Sequence, residues 1–475
     1  MFLKKLFAHS LIYALGPQIP KMAAIFVLPI ITPHLQPLDY GVYGVITSYT
    51  GILVGLSDLG FSVVLVNSFY KYPVKWRVIW RQLHFYLIFW SAIYSLFIGL
   101  LLYFITPTEA SSNRFWIILC VCLPSLLFNS TITIASRYYQ FAQKPLYIAL
   151  VSSIVGIIAI ILNLVTIVNL KMGYMGWFIS TAAATAIQFI FFFYPIFFKY
   201  QLGPLFAFRK IFLKNQLKVS LPVIPHNYST YLLNSSDRIV MDNTGVKISE
   251  IGKFNMAYTF GNYFDFFANA VGMAVGPFFT KVISKGSVKS EKDYHFITHW
   301  LQISFIIAGF LFSLWTKELT TILIRNDQLN TVYPLAIIII MGYVSRPYYW
   351  AIVNKMQFNE QTQKLWRISF IAGVLNVVLN IILVPKFGIM AAAITTFVAL
   401  LYMGFSGYYL KITSTEMKKS YYPATFIVII TLSTLVVYLL KDISPVFKLG
   451  ISLFLLLLFL LYSWKYRTVI KHIEV

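Results

Sequence analysis

The sequence predicts an all-α integral membrane protein of about 14 transmembrane helices, built as two parallel-related six-helix bundles plus two C-terminal helices. Three observations carry that prediction. First, 59% of the 475 residues are apolar, and a span takes about 20 mostly apolar residues, so the chain supplies about fourteen spans. Second, only 11% are charged, against about 25% in a soluble domain, and the apolar residues form long runs, which excludes a soluble globular protein. Third, a set of short motifs recurs in the same order in the two halves of the chain.

The net charge of +23, from 38 Lys+Arg against 15 Asp+Glu, would suggest nucleic acid in another setting. In a membrane chain it marks basic cytoplasmic loops, and no nucleic-acid partner is expected. Cys120 and Cys122 stand two apart on one apolar helix and point to different faces, so neither a disulfide framework nor a redox pair is implied.

Lys4 and Lys5 precede an apolar stretch as in a signal peptide, but Gly16, Pro17, Pro20 and Lys21 interrupt it and apolar sequence continues to Pro33, which reads as a retained first span. Runs near 41–69, 83–105, 115–136, 146–169 and 174–198 complete an N-terminal bundle over 1–198. The connection 199–218 interleaves Phe206, Phe208, Ile211, Phe212 and Leu217 with Arg209, Lys210, Lys214 and Lys218, the pattern of an amphipathic helix lying on an anionic leaflet. Runs near 219–242, 254–280, 295–316, 332–352, 366–384 and 389–410 form a second bundle over 219–411. Spans near 423–440 and 446–464, with a cytoplasmic tail, make up 412–475. With the N-terminus in the cytoplasm, inward loops and termini carry 26 Lys/Arg, outward loops 9, and three lie within spans, so both termini face the cytoplasm.

The internal repeat rests on four motif pairs. Pro17-x-x-Pro20-Lys21 matches Pro222-x-x-Pro225-His226, and Asp39-Tyr40-Gly41-Val42-Tyr43 matches Glu250-Ile251-Gly252-Lys253-Phe254. Gln140-Phe141 matches Gln357-Phe358, and Lys171-x-Gly173-x-Met175 matches Lys386-x-Gly388-x-Met390. All fall in order at offsets of 205 to 217. Six spans per repeat is even, so the repeats insert with the same orientation. Gly51-x-x-x-Gly55 and Gly272-x-x-x-Gly276 on the equivalent spans 2 and 8 read as helix-packing sites.

Catalysis is disfavoured. No G-x-x-x-x-G-K-[ST] phosphate loop occurs, so uphill work needs an ion gradient or a partner. His295 and His299 share a helix face without the Glu of a zinc-protease motif, and read as interfacial, not metal-binding. Outward loops are short, the longest running about 317–331, which leaves little room for the outer domain of a glycosyltransferase.

The candidate site residues are the ionisable groups inside the membrane, each costing about 2.5–3.5 kcal/mol to place at the bilayer centre. Lys21 lies about twelve residues, or about 18 Å, into span 1, near the midplane, and Asp265 lies at similar depth in span 8. Tyr258, Asn262, Asp265 and Asn269 follow steps of four, three and four and form one polar stripe, expected to face the other repeat or a wet cavity. Tyr343, Arg346, Pro347 and Trp350 share a face in span 10, setting a guanidinium beside aromatic rings suited to sugars. Asp58 sits in the inner half of span 2. Asp237 and Arg238 fall in the outer third of span 7, where a side chain snorkels readily to the interface. The competing structural reading is internal pairing, for example of Lys21 with Asp58 or Asp265.

On Leu28-Pro29-Ile30 followed by Leu38-Asp39-Tyr40-Gly41-Val42-Tyr43, and on Leu221-Pro222-Val223-Ile224-Pro225 followed by Asp237-Arg238 and Gly252, the chain resembles the polysaccharide-biosynthesis flippases. These are the Wzx-type lipid-linked oligosaccharide transporters of the multidrug/oligosaccharidyl-lipid/polysaccharide (MOP) superfamily, which also holds the MATE exporters. The resemblance implies a two-bundle, V-shaped transporter in the bacterial cytoplasmic (inner) membrane, moving undecaprenyl-diphosphate-linked oligosaccharide repeat units to the outer leaflet for O-antigen, capsule or exopolysaccharide. It also implies a polysaccharide polymerase and a chain-length regulator as partners, and no cofactor beyond a coupling H+ or Na+. On this reading Lys21, Arg346 and Arg238 serve the diphosphate, Tyr258, Asn262, Asn269, Tyr343 and Trp350 the glycan cavity, and Asp58, Asp265 and Asp237 the coupling ion. The alternatives are a MATE-type multidrug exporter, for which an acidic cavity is expected, a lipid II flippase, and, from another class, an integral glycan polymerase.

Overall fold

A computed structural model of the chain describes residues 18–221, 224–359, 365–409 and 421–467, and among them every regular element is helical. The expectations on Lys4, Lys5, Pro17, Pro222 and the C-terminal tail fall outside the described residues, as do those on the side chains of Lys21, Pro225 and His226. The chain divides into two compact units, Met1–Tyr231 and Leu232–Val475.

The first unit holds α1 (Gln18–Ile31), α2 (Pro37–Val54), α3 (Phe61–Lys71), α4 (Trp76–Ile105), α5 (Arg114–Leu127), α6 (Asn129–Phe141), α7 (Pro145–Asn163), α8 (Tyr174–Tyr194) and α9 (Lys210–Ser220). The unit boundary lies within α10 (Ile224–Asn243). In the second unit follow α11 (Ile248–Ser284), α12 (Val288–Leu314), α13 (Thr316–Leu323), α14 (Tyr333–Tyr343), α15 (Arg346–Phe358), α16 (Leu365–Phe405), α17 (Pro423–Leu439) and α18 (Pro445–Lys465).

Among the described residues, ten helical stretches are long and apolar enough to cross a membrane. The expected spans 11 and 12 form one of them, Leu365–Tyr408, within which Gly388 at φ 63° breaks the helical geometry. Three expected spans are not among the ten. The first is short in the described residues, the second is broken, and α10 carries Asn234, Ser235, Ser236, Asp237 and Arg238 in succession. A helix that polar crosses a bilayer only with its polar face buried in protein.

The start of α2 explains two of the repeated motifs. Asp39 Oδ2 accepts from the Gln36 N–H at 2.7 Å, closing a reciprocal cap, and Asp39 Oδ1 accepts from the Tyr174 N–H at 2.8 Å. Gly173 holds φ 54°, and a Cβ there would come within 2.6 Å of Asp39 Oδ1, so only glycine brings the start of α8 to that carboxylate. Its counterpart Gly388 keeps the positive φ, while Glu250, the counterpart of Asp39, pairs with Lys253 at 2.7 Å.

Span 2 is not one helix. Residues 55–60 form a turn between α2 and α3, and at membrane depth each freed backbone group needs a partner within the protein. Trp90 Nε1 donates to the Leu56 carbonyl at 2.8 Å, and Asp58 Oδ1 accepts the Gly60 N–H at 2.9 Å. Gly60 sits at φ 69°, with the Ser220 carbonyl 2.5 Å from where a Cβ would stand. Spans 4 and 10 break as well, at Phe128 between α5 and α6 and at 344–345 between α14 and α15. There Gln302 Nε2 donates to the Val344 carbonyl at 2.9 Å, and Ser345 Oγ shares its hydrogen between the Gly342 and Leu400 carbonyls, both at 3.0 Å.

The basic connection is only partly the expected amphipathic helix. Residues 201–209 are non-helical and tied to α4, by Arg81 Nε donating to the Gly203 carbonyl at 3.2 Å and by buried His84 Nδ1 lying 3.0 Å from the Leu202 carbonyl. Helix α9 then packs Phe212, Leu213 and Leu217 against the core around Trp80 and Leu83, leaving Phe206, Phe208 and Ile211 exposed. At the other end of the chain, Lys448 of α18 is fully buried and donates to both Glu318 oxygens at 2.7 and 2.9 Å and to the Lys441 carbonyl at 2.8 Å. Trp315 Nε1 donates to Ser452 Oγ at 3.0 Å. These bonds join the last helix to α12 and α13.

Candidate functional site

The second unit gathers most of the predicted site residues into one network. The step-of-four stripe on α11 puts Asn269 over Asp265, and its Nδ2 donates to Asp265 Oδ2 at 3.0 Å. The other oxygen, Oδ1, accepts from Arg346 Nε at 3.2 Å and Nη2 at 2.7 Å. Both side chains keep a little exposure, 16% for Arg346 and 17% for Asp265, so the pair is held yet reachable. The partner the structure gives Asp265 is therefore Arg346. Arg346 is also the first residue of α15, placed there by the break at 344–345, where the positive end of the helix dipole favours an anion.

The network continues through aromatics. The Arg346 guanidinium lies 5.3 Å from the Tyr343 ring centre, and the Tyr343 hydroxyl donates to that of Tyr258 at 3.2 Å. Arg238 lies 4.0 Å from the Tyr258 ring centre and donates to the Asn234 carbonyl at 2.6 Å and to Asn255 Oδ1 at 3.2 Å. Its Nε is buried without a hydrogen-bond partner among the described residues. Tyr258 and Tyr343 are both buried, so they position the two guanidinium groups. Asn262 is half-buried on the same helix. Trp350, also half-buried, meets Phe305 edge-on at 5.4 Å and lies over Gly272, where a Cβ would come within 2.8 Å of its ring.

Asp237 and Arg238 do not snorkel to an interface. Asp237 is fully buried and Arg238 is 5% exposed. Asp237 Oδ1 accepts from Asn376 Nδ2 at 2.7 Å and from Asn380 Nδ2 at 2.5 Å, and its Oδ2 accepts from Thr396 Oγ1 at 3.1 Å. Thr395 Oγ1 in turn donates to Asn380 Oδ1 at 2.7 Å. The sequence reading missed Asn376, Asn380, Thr395 and Thr396, although the step of four between the two asparagines on an apolar run is the same signal that marked the α11 stripe. A carboxylate ringed by amide and hydroxyl groups offers several oxygens to a small cation, because each amide presents oxygen or nitrogen according to its rotation.

The remaining predicted residues lie in the first unit. Asp58 sits in the turn between α2 and α3 and accepts the Gly60 N–H. Lys21 falls on α1, and its side chain is outside the described residues. Among the described residues no cluster of three or more His, Cys, Asp or Glu could hold a metal ion. His299 Nε2 lies 3.3 Å from the Tyr421 carbonyl and His295 Nε2 lies 3.8 Å from Glu291.

The family model for polysaccharide biosynthesis proteins matches residues 6–283. No curated protein matches the sequence. Among solved structures, the chain is similar to the lipid II flippase MurJ in an inward closed conformation, with a TM-score of 0.63 and 16% identity over 99% of each chain. It is similar to an inward-facing multidrug resistance MATE family transporter of the MOP superfamily, with a TM-score of 0.61 and 13% identity over 92% of this chain and 96% of that one. A TM-score of 0.53 and 16% identity, over 88% and 96%, relate it to the outward-facing conformation of such a transporter. At these identities the likeness shows the fold.

Proposed function

Because the chain belongs to the polysaccharide biosynthesis protein family, we propose that it is a flippase that carries undecaprenyl-diphosphate-linked oligosaccharide repeat units from the cytoplasmic to the outer leaflet of the bacterial inner membrane. Surface polysaccharide such as O-antigen, capsule or exopolysaccharide is the product it serves, with a polymerase and a chain-length regulator downstream, and both termini lie in the cytoplasm. The observation that carries this reading is Arg346. Its guanidinium sits at a helix N-terminus inside a membrane segment, on one oxygen of a carboxylate and with some exposure. A diphosphate oxygen pair is the group best able to take over both N–H donors from Asp265. Lys21 is assigned to the same headgroup on its depth in the sequence alone.

The coupling ion, H+ or Na+, is assigned to Asp237, whose carboxylate accepts from two amide groups and one hydroxyl that bring further oxygens close beside it. Asp58 is already engaged by a backbone N–H, and Asp265 by Arg346. That second engagement also weighs against an organic-cation exporter, since the half-buried acid on α11 is neutralised by its own guanidinium.

The testing experiment deletes the gene and profiles lipid-linked saccharides by mass spectrometry, with a membrane-impermeant probe reporting the leaflet. Single repeat units accumulating on the cytoplasmic leaflet are expected. Single units on the outer leaflet would make the protein a polymerase, and an unchanged lipid pool would favour drug export.

A further inference from the structure

The first unit contains a cavity of about 310 Å³, at the small end of the range of about 300–1,000 Å³ for ligand pockets. Its position follows from the internal repeat. The Asp39 and Glu250 motifs are offset by 211 residues, and the Gln140 and Gln357 motifs by 217. Carried along the helices, the first offset sets Val54 in the place of Asp265 and Thr47 in the place of Tyr258. The second sets Asn129 in the place of Arg346, and each of these two residues opens the helix that follows a break. Val54, Thr47 and Asn129 all line the cavity. The cavity is thus the first unit's counterpart of the Arg346–Asp265 pair, with a small apolar residue and an amide where the second unit has two charges.

Its chemistry follows. Among the described residues the lining holds no Asp, Glu, Lys, Arg or His. An ion would be poorly solvated there, and an apolar chain would leave polar groups unpaired. Thr47 and Thr50 donate to carbonyls of their own helix at 2.6 and 2.9 Å, which leaves their oxygens as acceptors. The side chains of Ser57, Ser125 and Asn129 make no hydrogen bond to other described residues, so they offer both donors and acceptors. Ser57 and Asn129 stand at the breaks in spans 2 and 4, where irregular membrane backbone is tolerated because it lines a cavity. Tyr43, Tyr94 and Phe178 add ring faces.

We propose that this cavity binds an uncharged sugar ring, whose hydroxyls pair with the serine, threonine and asparagine groups while its C–H face lies on the aromatic rings. The inference rests on the flippase reading only for the source of the sugar, the neutral part of the lipid-linked oligosaccharide.

Cys120 lines the cavity, and the chain has two cysteines, so Cys122→Ser leaves a single reporter thiol. In the full-length protein in lipid nanodiscs, the rate of Cys120 alkylation by N-ethylmaleimide is followed by mass spectrometry. The probes are methyl α-glucoside, methyl α-galactoside and N-acetylglucosamine, against glucuronate, tetraphenylphosphonium and a short polyprenol. A bound neutral sugar at ten times its Kd slows alkylation about elevenfold by mass action, and Asn129→Leu or the milder Ser125→Ala relieves the protection. Failure of every neutral sugar to protect, protection by the cation or polyprenol alone, or protection that persists in both variants would each overturn the proposal. Leaflet transfer is measured in parallel. Transfer without sugar protection sinks the cavity assignment alone, and sugar protection without transfer sinks the flippase reading alone.

Discussion

Removing the Arg346 guanidinium separates a strut from a substrate contact. At 2.7 Å and an effective dielectric of about 20, the gross attraction to Asp265 is about 6 kcal/mol, most of it offset by desolvation. Breaking such a pair from one side costs about 3–5 kcal/mol because the other charge is left unpaired. With 16% and 17% exposure, Arg346→Ala is expected at the lower end, about 3 kcal/mol. Asp265→Ala/Arg346→Ala removes both charges and leaves Asn269 with one lost acceptor, so its cost is about 1 kcal/mol, well below the sum of the single variants. Thermal unfolding of the purified protein reads the stability. Complementation of a deletion strain, scored by its lipid-linked saccharides, reads transport. Expected is a double variant with restored stability and no transport. A double variant that regains transport would refute the assignment and leave the ion pair as a helix strut.

Asp237→Asn keeps the shape of the buried nest, so the protein folds, but it loses ion-dependent transport and the stabilisation of about 2.7 kcal/mol that an ion at 100 times its Kd confers on the native state; ion-dependent melting curves check both. Lys448→Met strands Glu318 and lowers stability by about 3 kcal/mol, recovered in part by Glu318→Gln, as read by thermal unfolding. Gly388→Ala, with open space around it, costs only the backbone share of about 1–2 kcal/mol, whereas Gly173→Ala costs more than that, because at φ 54° its Cβ would also stand 2.6 Å from Asp39 Oδ1; thermal unfolding reads the difference. Trp90→Phe orphans the Leu56 carbonyl and costs about 1–3 kcal/mol, with faster amide exchange across 55–60 as its local signature.

The sequence by itself determined that the chain is helical and membrane-embedded, because burial in lipid demands long apolar runs that composition alone reveals. It determined the repeat, since the Gly173 and Gly388 motifs mark backbone positions that need a positive φ wherever the chain folds. Periodicity within one helix also showed the polar stripe through Tyr258, Asp265 and Asn269. Only the tertiary structure decided partners. Asp265 is met by Arg346 from 81 residues away, and Asp237 by Asn376, Asn380 and Thr396 from 139 to 159 residues away, so a side chain that sequence depth sends to an interface is buried instead. The breaks at 55–60, 128 and 344–345 likewise lie inside stretches whose overall hydropathy reads as one span each. A membrane helix can stop hydrogen-bonding to itself only where another group takes the freed carbonyl, as Trp90 does for Leu56 and Gln302 for Val344 from other helices, and hydropathy does not record which side chains those are.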